Sequence, residues 1–249
     1  ADVCDGILLT PNRYEGNDDT PDVHRLMYKD LPAGMISLFQ SAYNFMKRQF
    51  DGVSLNGKVV MESYINAWFF LYTHQGIFDP NGRYIVVDKY PETLAMYKAL
   101  MERENHHLPI LYIADSTLNL PLCPSCIDVN IDFFATNEHN FYRRSFFYEE
   151  LTPLLKPGAW IIGTYFYFEN GWRSMQKLLS QYPKCSDNNF SLQYFLKMAN
   201  ESGIVIDKKE ICGPSIDSGN NIGFSFHRKG EKLYLLPYTA HCALPGRMG

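Results

Sequence analysis

From residue 58 onward, short apolar runs bounded by turn residues alternate with segments of helical periodicity. The runs predict strands over 58–61, 84–87, 110–114, 127–134 and 160–164. The segments between and after them predict helices over 66–75, 91–104, 140–155, 172–181 and 192–201. Strands separated by helices of about ten to fifteen residues indicate βαβ crossovers, and therefore a mostly parallel sheet with helices on both faces.

The last part of the chain has a different pattern. Two more strands are predicted over 204–211 and 223–228, and the segment between them is rich in Gly, Pro, Ser and Asn rather than helical. Strands joined without a crossover helix pair antiparallel. We therefore predict an α/β fold with a doubly wound, seven-stranded sheet whose last two strands are antiparallel. A short apolar run at 233–236 is a candidate edge strand.

The first 56 residues form a region of their own in this interpretation. Residues 1–19 have the composition of a loop, and Thr20-Pro21 is typical of a helix start. An apolar stripe at three- and four-residue steps then predicts a helix that ends at Phe50. We predict an N-terminal loop and helical cap over 1–56, the α/β domain over 57–242 and a disordered tail over 243–249.

Composition narrows the class of function. The 249 residues include 23 Lys and Arg against 27 Asp and Glu, a formal net charge of −4, which excludes a protein that grips nucleic-acid phosphates through excess basic charge. The longest apolar run, 159–168, is about half of the roughly 20 residues that a membrane helix needs. Six cysteines and no visible secretion signal favour free thiols in a reducing cytoplasm. We expect a cytoplasmic protein that binds a small molecule, contacts neither nucleic acid nor membrane, and has a homodimer as one option for its assembly.

Acidic residues close three consecutive predicted strands. Glu62, Asp88 and Asp115 each stand at a strand's carboxyl end, where open parallel sheets bind their ligands. An acid after the second strand is the usual partner of ribose hydroxyls. Any one of the three could be a turn or helix-cap residue, but all three in order favour a site for a nucleoside-type ligand.

Motifs around these acids resemble those of the class I S-adenosylmethionine-dependent methyltransferases. The matching segments are Tyr-Ile-Val-Val-Asp at 84–88, Ile-Ala-Asp at 113–115, Leu-Pro-Leu at 120–122, Ile-Asp-Val at 127–129 and Leu-Leu-Lys-Pro-Gly-Ala at 154–159. The last of these is similar to the family's turn before the fifth strand. The resemblance covers roughly residues 57–228 and implies S-adenosylmethionine as the cofactor, with no metal expected.

The resemblance also implies roles for individual residues. Glu62 would orient the first loop and the ligand, and Asp88 would bind the ribose. Asp115, with Ser116 beside it, would bind the adenine amine. Asp132, near the end of the fourth strand, would face the methionine and methyl-acceptor side.

The first loop departs from the family's pattern. That loop is glycine-rich in the family because the backbone passes close to the cofactor, whereas Tyr64, Asn66 and Trp68 occupy the three glycine positions here. Asn66 can still adopt a left-handed backbone and stays a candidate cofactor-binding residue. Native packing leaves little free room between helix and sheet, so we expect the ring of Tyr64 or Trp68 to enter the space that the cofactor would use.

Candidate pocket residues lie around this loop and after the fourth and fifth strands. The set is Tyr64, Trp68, Phe133, Glu138, Tyr165 and Tyr167. His139 is the candidate general base, although its neighbour Glu138 is poorly placed to orient it because adjacent residues do not share a helix face. The alternative is that His139 belongs to a solvated helix cap and the tyrosines to the rim of the core.

Cys123 and Cys126 have the spacing of one half of a metal site. Such a site needs a second pair of ligands, and the other cysteines are isolated in the sequence. We therefore predict no bound zinc.

A second resemblance concerns the wider context of the domain. Segments 18–22, 27–32, 166–171 and 217–221 are similar to the methyltransferase-like C-terminal portion of some MerR-type transcription regulators. A chain that starts with Ala1 rather than Met is what an excised domain would give. The first hypothesis is a degenerate methyltransferase-fold domain that senses a small molecule as the effector part of a larger regulator. The alternative is an active methyltransferase acting on a small, apolar or aromatic acceptor.

Overall fold

The computed structural model of the chain describes residues 2–13, 33–65, 81–104, 108–142, 146–168, 176, 180, 190–216 and 219–231. Within these residues one sheet holds the strands β1 (Asp2–Cys4), β2 (Ile7–Leu9), β3 (Val59–Ser63), β4 (Arg83–Asp88), β5 (Ile110–Ala114), β6 (Ile127–Phe133), β7 (Leu155–Phe168), β8 (Ile204–Ile216) and β9 (Gly219–Arg228). The helices in the same residues are α1 (Ala33–Phe50), α2 (Pro91–Arg103), α3 (Ala135–Tyr142), α4 (Phe147–Leu151) and α5 (Leu192–Glu201), and a 3-10 turn over Thr152–Leu154 follows α4.

The strand order explains where a ligand would bind. The order is β1-β2-β5-β4-β3-β6-β7-β9-β8. Strands β2 to β7 pair with their neighbours in parallel, whereas β9 is antiparallel to both β7 and β8. The predicted doubly wound sheet with an antiparallel end is confirmed. Chain order reverses at β3, whose neighbours β4 and β6 lie on opposite sides, so the crevice beyond its carboxyl end is the expected binding place.

The sheet gains two strands at its N-terminal edge. Asp5 and Gly6 both have positive φ, 49° and 77°, which is the backbone of the two-residue hairpin turn that Asp-Gly favours. β1 and β2 pair antiparallel across this turn, and β2 continues the sheet beside β5. The loop prediction for residues 1–19 is therefore wrong at both strands, because three-residue strands are too short to show an alternating pattern.

β7 is much longer than the strand predicted over 160–164. Its partner β9 pairs with it from Trp160 to Phe168, so the hydrogen-bonded ladder holds residues past the predicted end. At the start of β7 the register against β6 shifts, and residues 156–159 bulge out of the pairing. The length of this strand is thus decided by its neighbours.

The single helix predicted over 140–155 is two helices. α3 starts five residues earlier and ends at Tyr142, and α4 is a separate short helix. Pro153 lies in the first turn of the 3-10 segment that follows α4. A proline is tolerated in a first turn but not inside an α-helix, which accounts for the end of α4.

Hydrophobic side chains pack in two layers, one on each face of the sheet. The layer beneath α1 and α2 includes Phe45 and Tyr97, and the layer beneath α4 and α5 includes Phe147 and Phe195. α1 packs against β7, β8 and β9, and its buried face shares a layer with the central strands. The predicted N-terminal helical cap is therefore part of the sheet's own core.

Some predicted elements lie outside the described residues. These are the helix start at 20–21, the helix over 66–75, most of the helix over 172–181, the edge strand at 233–236 and the tail over 243–249. In the described part of the chain, no helix is long and apolar enough to cross a membrane.

Candidate cofactor and substrate site

The three strand-end acids lie at one edge of the sheet. β3, β4 and β5 are parallel neighbours, and Asp88 pairs across from the residue that precedes Asp115. The amide of Asp115 donates to the carbonyl oxygen of Asp88 at 2.9 Å. Glu62, Asp88 and Asp115 are all buried, so the protein itself has to satisfy much of each carboxylate.

Asp88 ends β4 and turns the chain into α2. Its Oδ1 accepts a hydrogen bond from the amide of Tyr90 at 2.8 Å, and Pro91 follows as the first helical residue. The ammonium of Lys89 lies 5.0 Å from the centre of the Tyr90 ring. The bond to Tyr90 fixes the orientation of the Asp88 carboxylate, and only 2% of the residue is exposed.

Glu62 is used for packing between β3 and α2. The hydroxyl of Tyr97 donates to its Oε2 at 3.0 Å, and only 3% of the residue is exposed. The bond ties α2 to the central strand one residue before that strand ends. Glu62 therefore holds α2 against the central strand.

Asp115 is fully buried, and protein groups bond to both of its oxygens. The hydroxyl of Thr10 donates to Oδ2 at 2.5 Å, and the amide and hydroxyl of Thr117 donate to Oδ1 at 2.6 and 3.0 Å. Thr10 directly follows β2, and its amide donates to the carbonyl oxygen of Ala114 at 3.1 Å. The N-terminal hairpin thus supplies the hydroxyl that bonds to the carboxylate expected to bind an adenine amine.

Ser116 is held by the same N-terminal residues. Its amide and its hydroxyl both donate to the carbonyl oxygen of Asn12, at 3.1 and 2.5 Å. Together with the Thr10 bond, these contacts fasten residues 10–13 onto the carboxyl end of β5. We refer to residues 10–13 as the N-terminal strap.

Asp132 lies completely buried near the end of β6. Its Oδ1 accepts from the amide of Thr136 at 2.9 Å, and its Oδ2 accepts from the hydroxyls of Thr136 and Tyr148, the latter at 2.8 Å. Burial raises the pKa of Asp132 to about 6, and these hydrogen bonds oppose the shift. The residue fixes the first turn of α3 and the position of α4, and it has no exposed surface with which to touch a ligand.

Tyr64 has the backbone conformation of a glycine. Its φ is 47°, in the left-handed region that bulky residues rarely adopt. Its ring is 2% exposed and lies 5.7 Å from the ring of His139 and 6.2 Å from that of Phe147, centre to centre. Both partners follow β6, on the opposite side of β3 from β4. The ring of Tyr64 therefore leans away from Asp88.

The other two glycine-position residues, Asn66 and Trp68, lie outside the described residues. The expectation that a ring enters the cofactor space thus stays a prediction for Trp68. For Tyr64, the structure places the side chain in the hydrophobic layer beneath α4 and α5.

A polar chain runs from the first loop to α4. The hydroxyl of Tyr64 is 3.2 Å from Nδ1 of His139, and Nε2 of His139 is 3.5 Å from Oε2 of Glu150. His139 is 3% exposed and packs edge-to-face on Phe147 at 5.5 Å. His139 is thus a core residue rather than part of a solvated cap. Its carboxylate neighbour is Glu150; the side chain of Glu138 lies outside the described part of the structure.

The remaining pocket candidates are core residues. Tyr165 is fully buried and stacks on Phe195 with ring centres 4.1 Å apart, and burial raises the pKa of its phenol. Tyr167 is 8% exposed, and Phe133 packs edge-to-face on Phe134 at 4.8 Å. Tyr165 is therefore a core residue rather than a residue that lines a pocket.

Sequence reasoning alone misses the partners of these groups. Thr10 is 105 residues from Asp115, and Tyr97 is 35 residues from Glu62. Glu150 comes from a helix that the sequence pattern does not separate from α3. No local spacing marks such pairs, because the fold brings them together.

The two cysteines of the C-x-x-C motif are free thiols. Cys123 is exposed, Cys126 is half-buried, and burial raises the pKa of Cys126. Within the described ranges, no group of three or more His, Cys, Asp or Glu side chains is arranged to hold a metal ion.

Solved structures with the same architecture include several methyltransferases. A SAM-dependent methyltransferase from Aquifex aeolicus superposes with a TM-score of 0.57 at 15% identity, over 84% of this chain and 98% of that one. Geranyl diphosphate C-methyltransferase from Streptomyces coelicolor, solved with S-adenosyl-L-homocysteine, superposes with a TM-score of 0.56 at 8% identity, over 76% of this chain and 75% of that one. The chain therefore shares its fold with these methyltransferases.

The fold by itself leaves the reaction open. The cyclase SpnF superposes with a TM-score of 0.55 at 9% identity, over 75% of this chain and 80% of that one. A scan against protein-family models and a search of curated protein sequences found no match to this chain. Any assignment of activity therefore rests on the residues at the carboxyl edge.

S-adenosylmethionine fits one part of this edge and not another. The position of Asp88 at the end of β4, where its Oδ1 accepts from the amide of Tyr90, is compatible with the ribose partner that the resemblance implies. An adenine amine does not fit on the carboxylate of Asp115, because Thr10 and Thr117 bond to both oxygens and the side chain has no exposed surface.

Proposed function

We propose that the chain binds S-adenosylmethionine and methylates a small-molecule acceptor. The observation that carries the proposal is the conformation of Tyr64, which has the left-handed backbone of the first loop's glycine and a ring turned to the β6 side. Such a conformation costs a bulky residue about 1–3 kcal/mol and persists where the surroundings enforce it. A ligand that lies against the backbone of this loop would account for the strain. The methyltransferase fold of the structural neighbours supports the proposal.

Each side of the crevice has its own task in this proposal. Asp88 accepts from the ribose hydroxyls, and the first loop passes beneath the ligand. S-adenosylmethionine supplies, when bound, a methyl group on a positively charged sulfur. Phe133 and Phe134, at the end of β6, provide apolar surface on the acceptor side. Asp115 holds the N-terminal strap rather than the adenine amine.

Calorimetry with S-adenosyl-L-homocysteine tests the proposal. We expect micromolar binding by the wild type and a loss of about tenfold to a hundredfold in Asp88→Ala, since a hydrogen bond to a charged group contributes roughly 1.5–3 kcal/mol. Glu92→Gln removes an exposed negative charge from the first turn of α2 and should leave the affinity nearly unchanged, because exposed charges are screened by salt. Full affinity in Asp88→Ala would remove Asp88 from the site. No binding by the wild type would contradict the proposal.

A ligand-sensing domain of a larger, MerR-type regulator is the second candidate. The observation in its favour is that a buried aromatic side chain, Tyr64, stands where the methyltransferases have glycine. Such a domain would bind a different small molecule and leave S-adenosyl-L-homocysteine unbound, so the same titration separates the two candidates. The cytoplasmic location and the homodimer stay expectations under both.

A further inference from the structure

The Cys-Pro-Ser-Cys segment at 123–126 lies at the other edge of the sheet from the candidate cofactor and substrate site. It directly precedes the first residue of β6. Since β6 is parallel to both of its neighbours, β3 and β7, its amino end lies away from the carboxyl edge at which the crevice opens. Chemistry at these two cysteines is therefore independent of the proposed function.

The four residues form a tight turn that brings the two cysteines together. Pro124 stands at the second position, and Ser125 at the third has a positive φ of 52°, which is the pattern of a type II turn. The first and last Cα atoms of a β-turn lie within about 7 Å of each other. The Cα atoms of a disulfide are usually about 4.4–6.8 Å apart. The turn therefore places Cys123 and Cys126 in the range of separation that a disulfide between them needs.

Contacts with the rest of the sheet fix this turn. The amide of Ser125 donates to the carbonyl oxygen of Pro153, and the amide of Cys126 donates to that of Leu154, both at 2.9 Å. The guanidinium of Arg228, in β9, donates to the hydroxyl of Ser125 at 3.2 Å. These bonds hold Ser125 in the left-handed conformation, which residues other than glycine rarely adopt. A turn fixed in this way can form the disulfide by side-chain rotation, with no change in the elements around it.

The two thiols differ in their access to solvent. Cys123 is exposed, whereas Cys126 is half-buried and packs against the hydrophobic layer beneath α4 and α5. Burial raises the pKa of the Cys126 thiol, and the nearby Cys123 adds to the rise. Thiol–disulfide exchange begins with attack by a thiolate that has access to the disulfide. Cys123 is therefore the thiol that meets a disulfide from solution, and Cys126 is the thiol that reacts second.

We propose that Cys123 and Cys126 form a redox-active dithiol that closes to an intramolecular disulfide by exchange with a low-molecular-weight disulfide such as oxidised glutathione. The Cys123 thiolate attacks one sulfur of that disulfide, a mixed disulfide forms and one glutathione thiolate leaves. The Cys126 thiolate then attacks Sγ of Cys123, and the second glutathione leaves as a thiolate. The protein loses two electrons and two protons, and the low-molecular-weight disulfide is reduced to two thiols. Excess reduced glutathione reverses both steps.

Peptide mapping by mass spectrometry, after incubation of the full chain with oxidised glutathione, tests the proposal. In the wild type we expect a disulfide between Cys123 and Cys126, no glutathione retained on either residue, and recovery of both thiols when excess reduced glutathione is added. Cys126→Ser should stop at the mixed disulfide, with one glutathione held on Cys123. Cys123→Ser should lose most of the reaction at this segment, because the half-buried thiol would have to attack first.

Cys4 provides an exposed thiol for comparison within the same protein. It lies in β1, and the next cysteine in the sequence is Cys123. We expect Cys4 to keep glutathione as a mixed disulfide under conditions in which Cys123 does not. The proposal would be overturned by a wild-type protein in which Cys123 keeps its glutathione as Cys4 does, does not react, or is linked to any cysteine other than Cys126.

Amide hydrogen exchange of the reduced and the oxidised wild type tests whether the turn is formed before the disulfide. We expect the amides of Ser125 and Cys126 to exchange equally slowly in both states, because their bonds to Pro153 and Leu154 persist. A large gain in protection on oxidation would show that the disulfide orders the turn, and it would contradict the preformed geometry on which the proposal depends.

Discussion

The two sides of the crevice beyond β3 are built by different means. On the β4–β5 side, Asp88 and Asp115 accept hydrogen bonds from backbone amides and from hydroxyls of the strap and its surroundings. On the β6–β7 side, aromatic rings surround a few polar groups, among them Asp132 and His139. Burial on that side raises the pKa of Asp132 to about 6 despite three hydrogen bonds.

In the proposed function, the two sides of the crevice have different chemical tasks. Closely spaced amide and hydroxyl donors suit the β4–β5 side, because they hold its carboxylates in position to bind a sugar. On the aromatic side, a low dielectric strengthens the interaction between the few polar groups that it contains. The predictions below probe first the packing and then the hydrogen bonds on which this contrast depends.

The largest effect is expected from Gly163→Ala, on the aromatic side. A Cβ at Gly163 would lie 2.3 Å from the carbonyl oxygen of Asp132 and 2.6 Å from Cζ of Phe224. The first contact is with backbone that cannot move away alone, so we expect a loss of about 3 kcal/mol or more in the free energy of unfolding. Urea denaturation measures it. Ala159→Gly, a change of one methyl in the same strand, should cost only about 1 kcal/mol, and an equal cost for both would show that β7 can shift against β6.

The next effect is a pH dependence that comes from Asp132. Its pKa rises from 3.8 to about 6 on folding, so the folded state favours the protonated acid. The stability that this provides is fully present below about pH 4 and is lost as the pH rises through about 6. A shift of about two units corresponds to roughly 3 kcal/mol. Asp132→Asn has no carboxyl group to titrate. The unfolding free energy of this variant minus that of the wild type should therefore increase by about this amount from about pH 4 to pH 7.5.

Denaturation of both proteins at the two pH values gives this result as a double difference, in which the other titrating groups cancel. A difference between the two proteins that does not change with pH would mean that Asp132 does not titrate abnormally. The β6–β7 side would then not be distinguished from the β4–β5 side by a buried carboxyl group with a raised pKa.

The smallest effect is expected on the polar side, from Thr10→Val. The substitution keeps the shape of the side chain and removes the hydroxyl that bonds to Asp115, which should cost about 1–2 kcal/mol. It should also speed hydrogen exchange of the Ser116 amide, which the strap protects through Asn12. Thr10→Ser retains the hydroxyl and serves as the control. Equal exchange rates in the two variants would show that the Thr10 hydroxyl does not fasten the strap.

Local patterns predict some of this architecture and not the rest. The parallel strands and the position of Asp88 follow from apolar runs that end in an acid, which depend on neighbouring residues only. The Asp5-Gly6 pair is also a local signal, of a hairpin turn, and it identifies the two edge strands that loop composition conceals. The length of β7 is different, since it is set by pairing with β9 rather than by its own residues.

The contacts that define the candidate site depend on the folded chain. Thr10 and Asp115 are 105 residues apart in sequence, and Tyr64 and His139 are 75 apart. Nothing in the sequence around Tyr64 indicates that its ring turns to the β6 side, because that direction follows from a backbone φ and from Phe147 in a distant helix. A motif comparison predicts where the acids lie on the sheet. It does not predict which groups donate hydrogen bonds to their carboxylates.

A crystal structure with S-adenosyl-L-homocysteine tests the central claim most directly. The account predicts that the ribose hydroxyls lie within hydrogen-bond distance of Asp88, while Thr10 stays bonded to Asp115 and Tyr64 to His139. A ligand bound away from Asp88, or a strap displaced so that the adenine amine bonds to Asp115, would contradict it.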